Sequence, residues 1–159
     1  MHLQANELKA VAVMADMTES EKNITQDKCM SVKHFDYRCS RRRDSKGRTC
    51  HANQPAWLNF SVAVNSAEQT RPFYEQMTDQ KRSPITFLFN AVFSDTKRLA
   101  DYYDAMVVEG WVVDVQEQFC SVAQSANAEE EQIIVRACMQ VQSILYIDKN
   151  GSKKLEFLQ

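Results

Sequence analysis

The sequence predicts a mainly β chain, an antiparallel β-barrel or two-sheet sandwich with one short α-helix, in a single domain spanning residues 1–159. Alternation of apolar and polar residues recurs from one end of the chain to the other, as in strands that bury one face. Only one segment combines helical spacing with a helix-start signal, and turn residues separate the alternating runs. With 44% hydrophobic and 25% charged residues, a chain of 159 residues can bury a core without disulfide staples and is not a disordered polymer.

Near the start, "ELKAVAVMA" (7–15) reads as a first strand, with helix as the alternative. "KHFDYRCSR" sets Phe35, Tyr37 and Cys39 on one face, against His34, Asp36, Arg38 and Ser40, and so reads as a half-buried strand. "WLNFSVAV" does the same with Leu58, Phe60, Val62 and Val64. In "TRPFYEQM", Thr70 is a capping residue, Pro72 suits a first turn and Phe73 and Met77 lie four apart, which predicts a helix over 71–79 packed on the sheet. "PITFLFNAVF" (84–93) reads as one strand opened by a proline.

Leu99, Tyr102 and Tyr103 have helical spacing, but the Val-rich stretch after them predicts one long strand over 105–119, bent or bulged at Gly110. "SVAQSANAEEEQ" is a loop by its small, polar residues. "IIVRACMQVQSILYI" (133–147) then alternates as a second long strand, placing Ile133, Val135, Ala137, Met139, Val141, Leu145 and Ile147 on one side. Asn150–Gly151 predicts a tight hairpin turn into a last short strand.

Several chemistries find no support. The net charge of −2 gives no overall attraction to phosphate or anionic lipid. There is no apolar run of about 18 residues and no secretory leader, so synthesis and residence in the cytoplasm are expected. Five cysteines without a CxxC pair suit reduced thiols. Cys29, His34, Cys39, Cys50 and His51 match no zinc spacing, and alternation sends His34 and Cys39 to opposite faces. Nucleotide-binding glycine loops and a nucleophile elbow are absent. No catalytic, cofactor-binding or metal-ligating residue is therefore assigned, and no enzyme or cofactor is expected. Glu109, Asp114 and Glu117 read as solvated or interface charge on the long strand, with Asp114 opposite the other two in the absence of a bulge.

The most charged stretch, "CSRRRDSKGRTC", admits two readings. Arg41, Arg42, Arg43, Lys46 and Arg48 can neutralise phosphates while Phe35, Tyr37 and Trp57 stack on bases. Alternatively, the stretch is an extended connection whose charges meet an acidic partner surface. This chain supplies such surfaces in Glu129, Glu130 and Glu131 and in the group Asp101, Asp104 and Glu109, so self-association through complementary charge is a natural consequence.

The order of segments, with an aromatic strand running into Arg38–Arg48, then "NFSVAV", "RPFYEQM", "ITFLFN", "DAMVVEGWVVDVQEQF" and "EQIIVRACMQVQSI", resembles the tube-forming Hcp (TssD) family of type VI secretion systems, in its Bacteroidetes branch. The resemblance runs from about Leu8 to Ile147. "MTESEKNITQDK", the cysteine count and "DKNGSKKLEFLQ" have no place in it.

The resemblance implies an Hcp-like barrel that forms hexameric rings stacked into the inner tube of a contractile apparatus. Spike, sheath and effector proteins are the implied partners, without nucleic acid or membrane insertion, and the apparatus itself would expel the protein. The basic stretch becomes a loop reaching a neighbouring subunit or ring, so Arg41, Arg42, Arg43 and Arg48, facing Glu129, Glu130 and Glu131, are the expected interface. Val108 and Val112, or their odd-numbered neighbours, are expected at a subunit contact. The alternatives are a nucleic-acid-binding barrel that uses Arg41–Arg48 and a monomeric barrel that holds an apolar ligand.

Overall fold

The computed structural model describes residues 10–14, 24–39, 41–43, 45–47, 49–53, 56–64, 66–79, 84–121 and 131–156. Its strands are β1 (Val11–Val13), β2 (Met30–Arg38), β3 (Arg41–Arg43), β4 (Thr49–Asn53), β5 (Ala56–Val64), β6 (Ile85–Phe89), β7 (Val92–Phe93), β8 (Leu99–Asp101), β9 (Asp104–Ser121), β10 (Glu131–Asp148) and β11 (Gly151–Glu156). One α-helix, α1 (Ala67–Thr78), follows β5, and a 3₁₀ turn occupies Gln26–Lys28.

The main sheet runs β11-β10-β5-β2-β1-β6-β9, and β9 pairs back onto β10. Six antiparallel strands thus close a barrel, and β11 is added outside the ring of strands. Closure satisfies the backbone donors and acceptors that an open sheet leaves at its margins. The expected mainly β barrel with a helix is the architecture found.

The barrel interior is filled by the residues that alternation assigned to it. Leu58, Phe60, Val62 and Val64 of β5 meet Val135, Ala137, Met139 and Val141 of β10, all buried. Phe60 stacks edge-on against Phe87, with ring centroids 5.2 Å apart, and Phe87 in turn against Phe35 at 5.0 Å; offset and edge-on geometry suits the ring quadrupoles. Helix α1 lies along β9, and its Phe73 reaches Phe60 with 5.9 Å between centroids.

A second apolar layer lies outside the barrel. Val11, Val13, Leu88, Ala105 and Val107 form it, with Ile24 and Cys29, and the β7–β8 hairpin contributes Phe93 and Leu99. Backbone hydrogen bonds from Gln26 to Lys97 and from Leu99 to Ile24 hold the cover in place. This explains the runs apolar on both faces: β6 and the start of β9 are buried inside by the barrel and outside by this layer.

Several sequence-based boundaries differ. The helix begins at Ala67, not 71: Ala67, Glu68 and Gln69 are good helix formers behind Ser66, so Pro72 sits inside the helix and Thr70 is a buried helical residue rather than a cap. The strand expected over 84–93 breaks at Asn90, whose φ of 54° is left-handed, and resumes as β7. Alternation along β10 slips between Val141 and Ser143, where the register against β9 shifts. Beyond that bulge Ile144 points into the barrel, and Leu145 and Ile147 pack on the outer layer. Val108 and Val112 are interior residues, which leaves the expected subunit contact to their odd-numbered neighbours, among them the exposed Val113.

Candidate assembly surfaces

Among the described residues, one face of the barrel carries no outer layer. Past Glu109 on β9 and Ser143 on β10 the outer layer ends, and the outward residues of β2, β5, β10 and β9 form a grid fixed by strand register. One row across the strands reads Arg38, Trp57, Gln140 and Trp111. The next reads Asp36, Asn59, Cys138 and Asp114, and the third His34, Ser61, Arg136 and Gln116. Side chains of the second and third rows line a shallow groove of about 450 Å³.

The register of β9 slips between Val112 and Asp114 and leaves Val113 as an extra, exposed residue. This bulge overturns the parity expected for the three carboxylates. Glu109 and Asp114 share the outer face, and Glu117 turns to the other side, where it accepts a 3.0 Å hydrogen bond from the Tyr74 hydroxyl of α1. That bond raises the Tyr74 pKa, since it is made to a carboxylate that resists a second negative charge.

Phe35 and Tyr37 pack on the barrel core, out of reach of a base, whereas Trp57 faces solvent at 39% exposure. The stacking trio proposed from sequence is therefore not assembled. Burial pushes the Tyr37 hydroxyl strongly upward and the Cys29 thiol up to about 11. Cys29, Cys39 and Cys138 are free thiols, and among the described residues no three His, Cys, Asp or Glu side chains converge on a metal position.

The basic stretch is not a plain extended connection. Arg41–Arg43 and Thr49–Asn53 pair as a separate two-stranded ribbon, turned at residues 45–47 where Gly47 has φ 82°. The backbone alone is described for Arg41, Arg42, Arg43 and Glu131; Arg48, Glu129 and Glu130 lie outside the described residues. Because Arg38 pairs with Trp57 and Ala56 with Val141, the ribbon leaves the barrel at the level of Gln140 and Val141. Glu131 opens β10 ten residues away, about 33 Å along a strand.

The acidic groups therefore divide by position. Asp104 pairs with Phe89, and its neighbour Ala105 with Ile147, so Asp104 lies past the ribbon's root toward the end of β10, with Asp101 close to it in sequence. Glu131, at the start of β10, lies the other way. Sequence reasoning missed the bare grid, because only the pairing of strands distant in sequence brings Trp57, Gln140 and Trp111 into one row.

Exposed apolar side chains mark the two directions as well. Phe119, 62% exposed, pairs with Ile133 near the end of β9 and the start of β10. Tyr103, 60% exposed, precedes β9 at the other end. No helix among the described residues is long and apolar enough to cross a membrane.

No family model matches the sequence, and no curated protein is significantly similar to it. Solved structures are similar in fold. Hcp1 from the E. coli EAEC 042 pathovar superposes with a TM-score of 0.63 at 13% identity, over 95% of this chain and 99% of that one. Hcp1 from Flavobacterium johnsoniae gives 0.57 at 14% identity, over 93% and 98%. The secreted protein Hcp3 from Pseudomonas aeruginosa gives 0.57 at 11% identity, over 96% and 99%. At such identities it is the fold that is shared, and it is shared nearly end to end: this chain has the Hcp fold.

Proposed function

We propose that this protein is the structural tube subunit of a type VI, contractile secretion system, without enzymatic activity, and that it assembles as hexameric rings stacked into an inner tube that carries effectors. The observation that supports this most is the match to Hcp structures over almost the whole of both chains. The Bacteroidetes branch of that family is part of this reading on the sequence resemblance, and a protein from Flavobacterium johnsoniae is among the structures similar in fold. Secretion would follow from the apparatus, which expels its own tube, and spike, sheath and effector proteins are the partners of such a subunit.

The distribution of charge suits the reading. A ring or stack needs heterologous contacts, in which two different patches of the same chain meet. Arg41, Arg42 and Arg43 on the ribbon and Glu131 at the start of β10 are two such patches, and with their sequence neighbours Arg48, Glu129 and Glu130 they are the pair of surfaces that the reading assigns to contact between stacked rings. Asp101 and Asp104 lie to the ribbon's own side and suit a lateral neighbour instead.

Size-exclusion chromatography with light scattering, followed by negative-stain imaging, tests the assembly. A six-subunit ring is the expected result, and a monomer at high concentration would remove the tube reading. Reversing all four arginines to Glu is expected to abolish stacking, and reversing Glu129, Glu130 and Glu131 to Lys in the same chain to restore it. Unchanged stacking in the arginine variant would discard the ribbon as an interface.

A further inference from the structure

The segment "DKNGSKKLEFLQ" has no place in the resemblance to Hcp, yet it supplies a strand of the main sheet. β5 starts at Ala56, opposite Val141, and from Ser143 to Asp148 its position beside β10 passes to β11. β11 has β10 on one side and, among the described residues, no strand on the other. All of it is exposed except the half-buried Leu155. Its outer edge, about 20 Å long, therefore presents backbone donors and acceptors that a neighbouring molecule can satisfy. The edge is basic: it carries Lys153 and Lys154, and Lys154 meets Glu156 at 3.7 Å with both side chains largely in solvent.

The far side of β10 has the opposite character at the same level. Ser152 pairs with Ile147 and Ile147 with Ala105, so β9 begins level with the start of β11. Just before it, the Tyr103 amide donates to the Phe89 carbonyl oxygen at 2.9 Å, Asp104 pairs with Phe89, and Val92 pairs with Asp101. These pairings gather Val92, Asp101, Tyr103 and Asp104 at one margin. Tyr103 is 60% and Val92 48% exposed, beside the exposed Asp101 and the half-buried Asp104. One Asp101 oxygen accepts the Tyr102 amide at 2.8 Å, and a carboxylate has a second oxygen to offer. Apolar surface rimmed by carboxylates thus stands on one side of β10, and an unpaired basic edge on the other.

We infer that the free edge of β11 docks on the margin formed by Val92, Asp101, Tyr103 and Asp104 in a second copy of this chain. Charge selects that occupant. Two β11 edges repel each other through their lysines, whereas the acidic margin attracts them. Lysine stems cover Val92 and Tyr103 while the ammonium groups reach the carboxylates and the face of the tyrosine ring. Because the two patches differ, the contact is heterologous, and its repetition closes a ring. The inference rests on the ring reading and names its lateral seam, apart from the surfaces assigned to stacking.

Two full-length variants test it by light scattering and negative stain. Lys153→Glu with Lys154→Glu reverses the edge, and Asp101→Lys with Asp104→Lys reverses the margin. The wild-type chain is expected as rings, and each variant alone as monomer, its rings falling apart at a concentration about tenfold higher or more. Mixed in equal amounts, the two variants are expected to form rings of alternating chains, since each then meets opposite charge at both seams. Lys153→Gln with Lys154→Gln removes charge without reversing it, and is expected to weaken the ring severalfold with thermal unfolding unchanged. Rings that survive both reversals and the neutral variant overturn the seam and leave the tube reading standing. Folded variants that stay apart when mixed overturn it too. Wild-type dimers joined through β11 alone would replace it with edge-to-edge pairing, and a monomeric wild-type chain would remove seam and tube reading together.

Discussion

Gly110 shows how one residue can be read from sequence and still be explained only by its neighbours. A glycine in a β-branched run predicts a bulge or bend, and the register does slip beside it, with the extra residue, Gln142, on the facing strand. A Cβ at Gly110 would stand 2.1 Å from the backbone oxygen of Gln140. Gly110→Ala must push two paired strands apart, and a loss of about 3 kcal/mol in denaturant unfolding is expected. Cys29 behaves differently: its thiol is buried and donates to the Thr25 carbonyl oxygen, 3.4 Å away. Its pKa is raised, so the native state keeps a proton that the unfolded state loses. Stability from this group is whole below pH 9 and declines as pH rises toward about 11. Cys29→Ala should flatten that part of a stability–pH curve. A thiol reagent at pH 8 should label exposed Cys39 and leave Cys29 untouched until the chain unfolds.

Helix α1 and the β6–β7 break carry the next expectations. On the buried face of α1, Thr70 Oγ1 and both amide atoms of Gln76 have no hydrogen-bond partner among the described residues. A buried polar atom left unpaired costs about 1–3 kcal/mol, so Thr70→Val and Gln76→Leu are each expected to raise stability by about 1 kcal/mol in thermal or denaturant unfolding. Lower stability in both would mean that these groups are satisfied in solution. At Asn90 the left-handed backbone admits glycine readily and a β-branched side chain poorly. Asn90→Gly should be nearly neutral and Asn90→Val should cost about 1–2 kcal/mol. Both elements were legible as a helix and a strand, but their limits were not. Ser66 and Ala67 carry a weaker start signal than Thr70 with Pro72, and the break at Asn90 interrupts a run whose alternation continues through it to Phe93.

For the assembled protein, the decisive variable is salt. If the ribbon arginines and the glutamates of 129–131 hold stacked rings together, raising salt from 0.15 M to 1 M shortens the screening length from about 8 Å to about 3 Å and should shorten or dissolve the stacks seen by negative stain. A purely apolar contact through Phe119 or Tyr103 would persist or strengthen. Core packing is a separate matter: Phe60→Ala, at the meeting point of Phe73 and Phe87, should cost about 3–5 kcal/mol and unfold barrel and helix together.

The strands and most of their inward faces were fixed by alternation, because a strand that buries one side must repeat every two residues. Phe60, Val62, Ala137 and Met139 needed no further information. Closure of β9 onto β10, the outer layer over β6, and the bulges at Val113 and Gln142 arise from pairing between residues distant in sequence, and each bulge reverses the parity of everything after it. Val108 and Val112, which precede the bulge, lie in the core because the closure of β9 onto β10 makes their side of the strand the barrel interior. Trp57 and Trp111, fifty-four positions apart, came to share one row for the same reason: composition sets what a strand buries, and only its neighbours in the sheet set what it shows to the solvent.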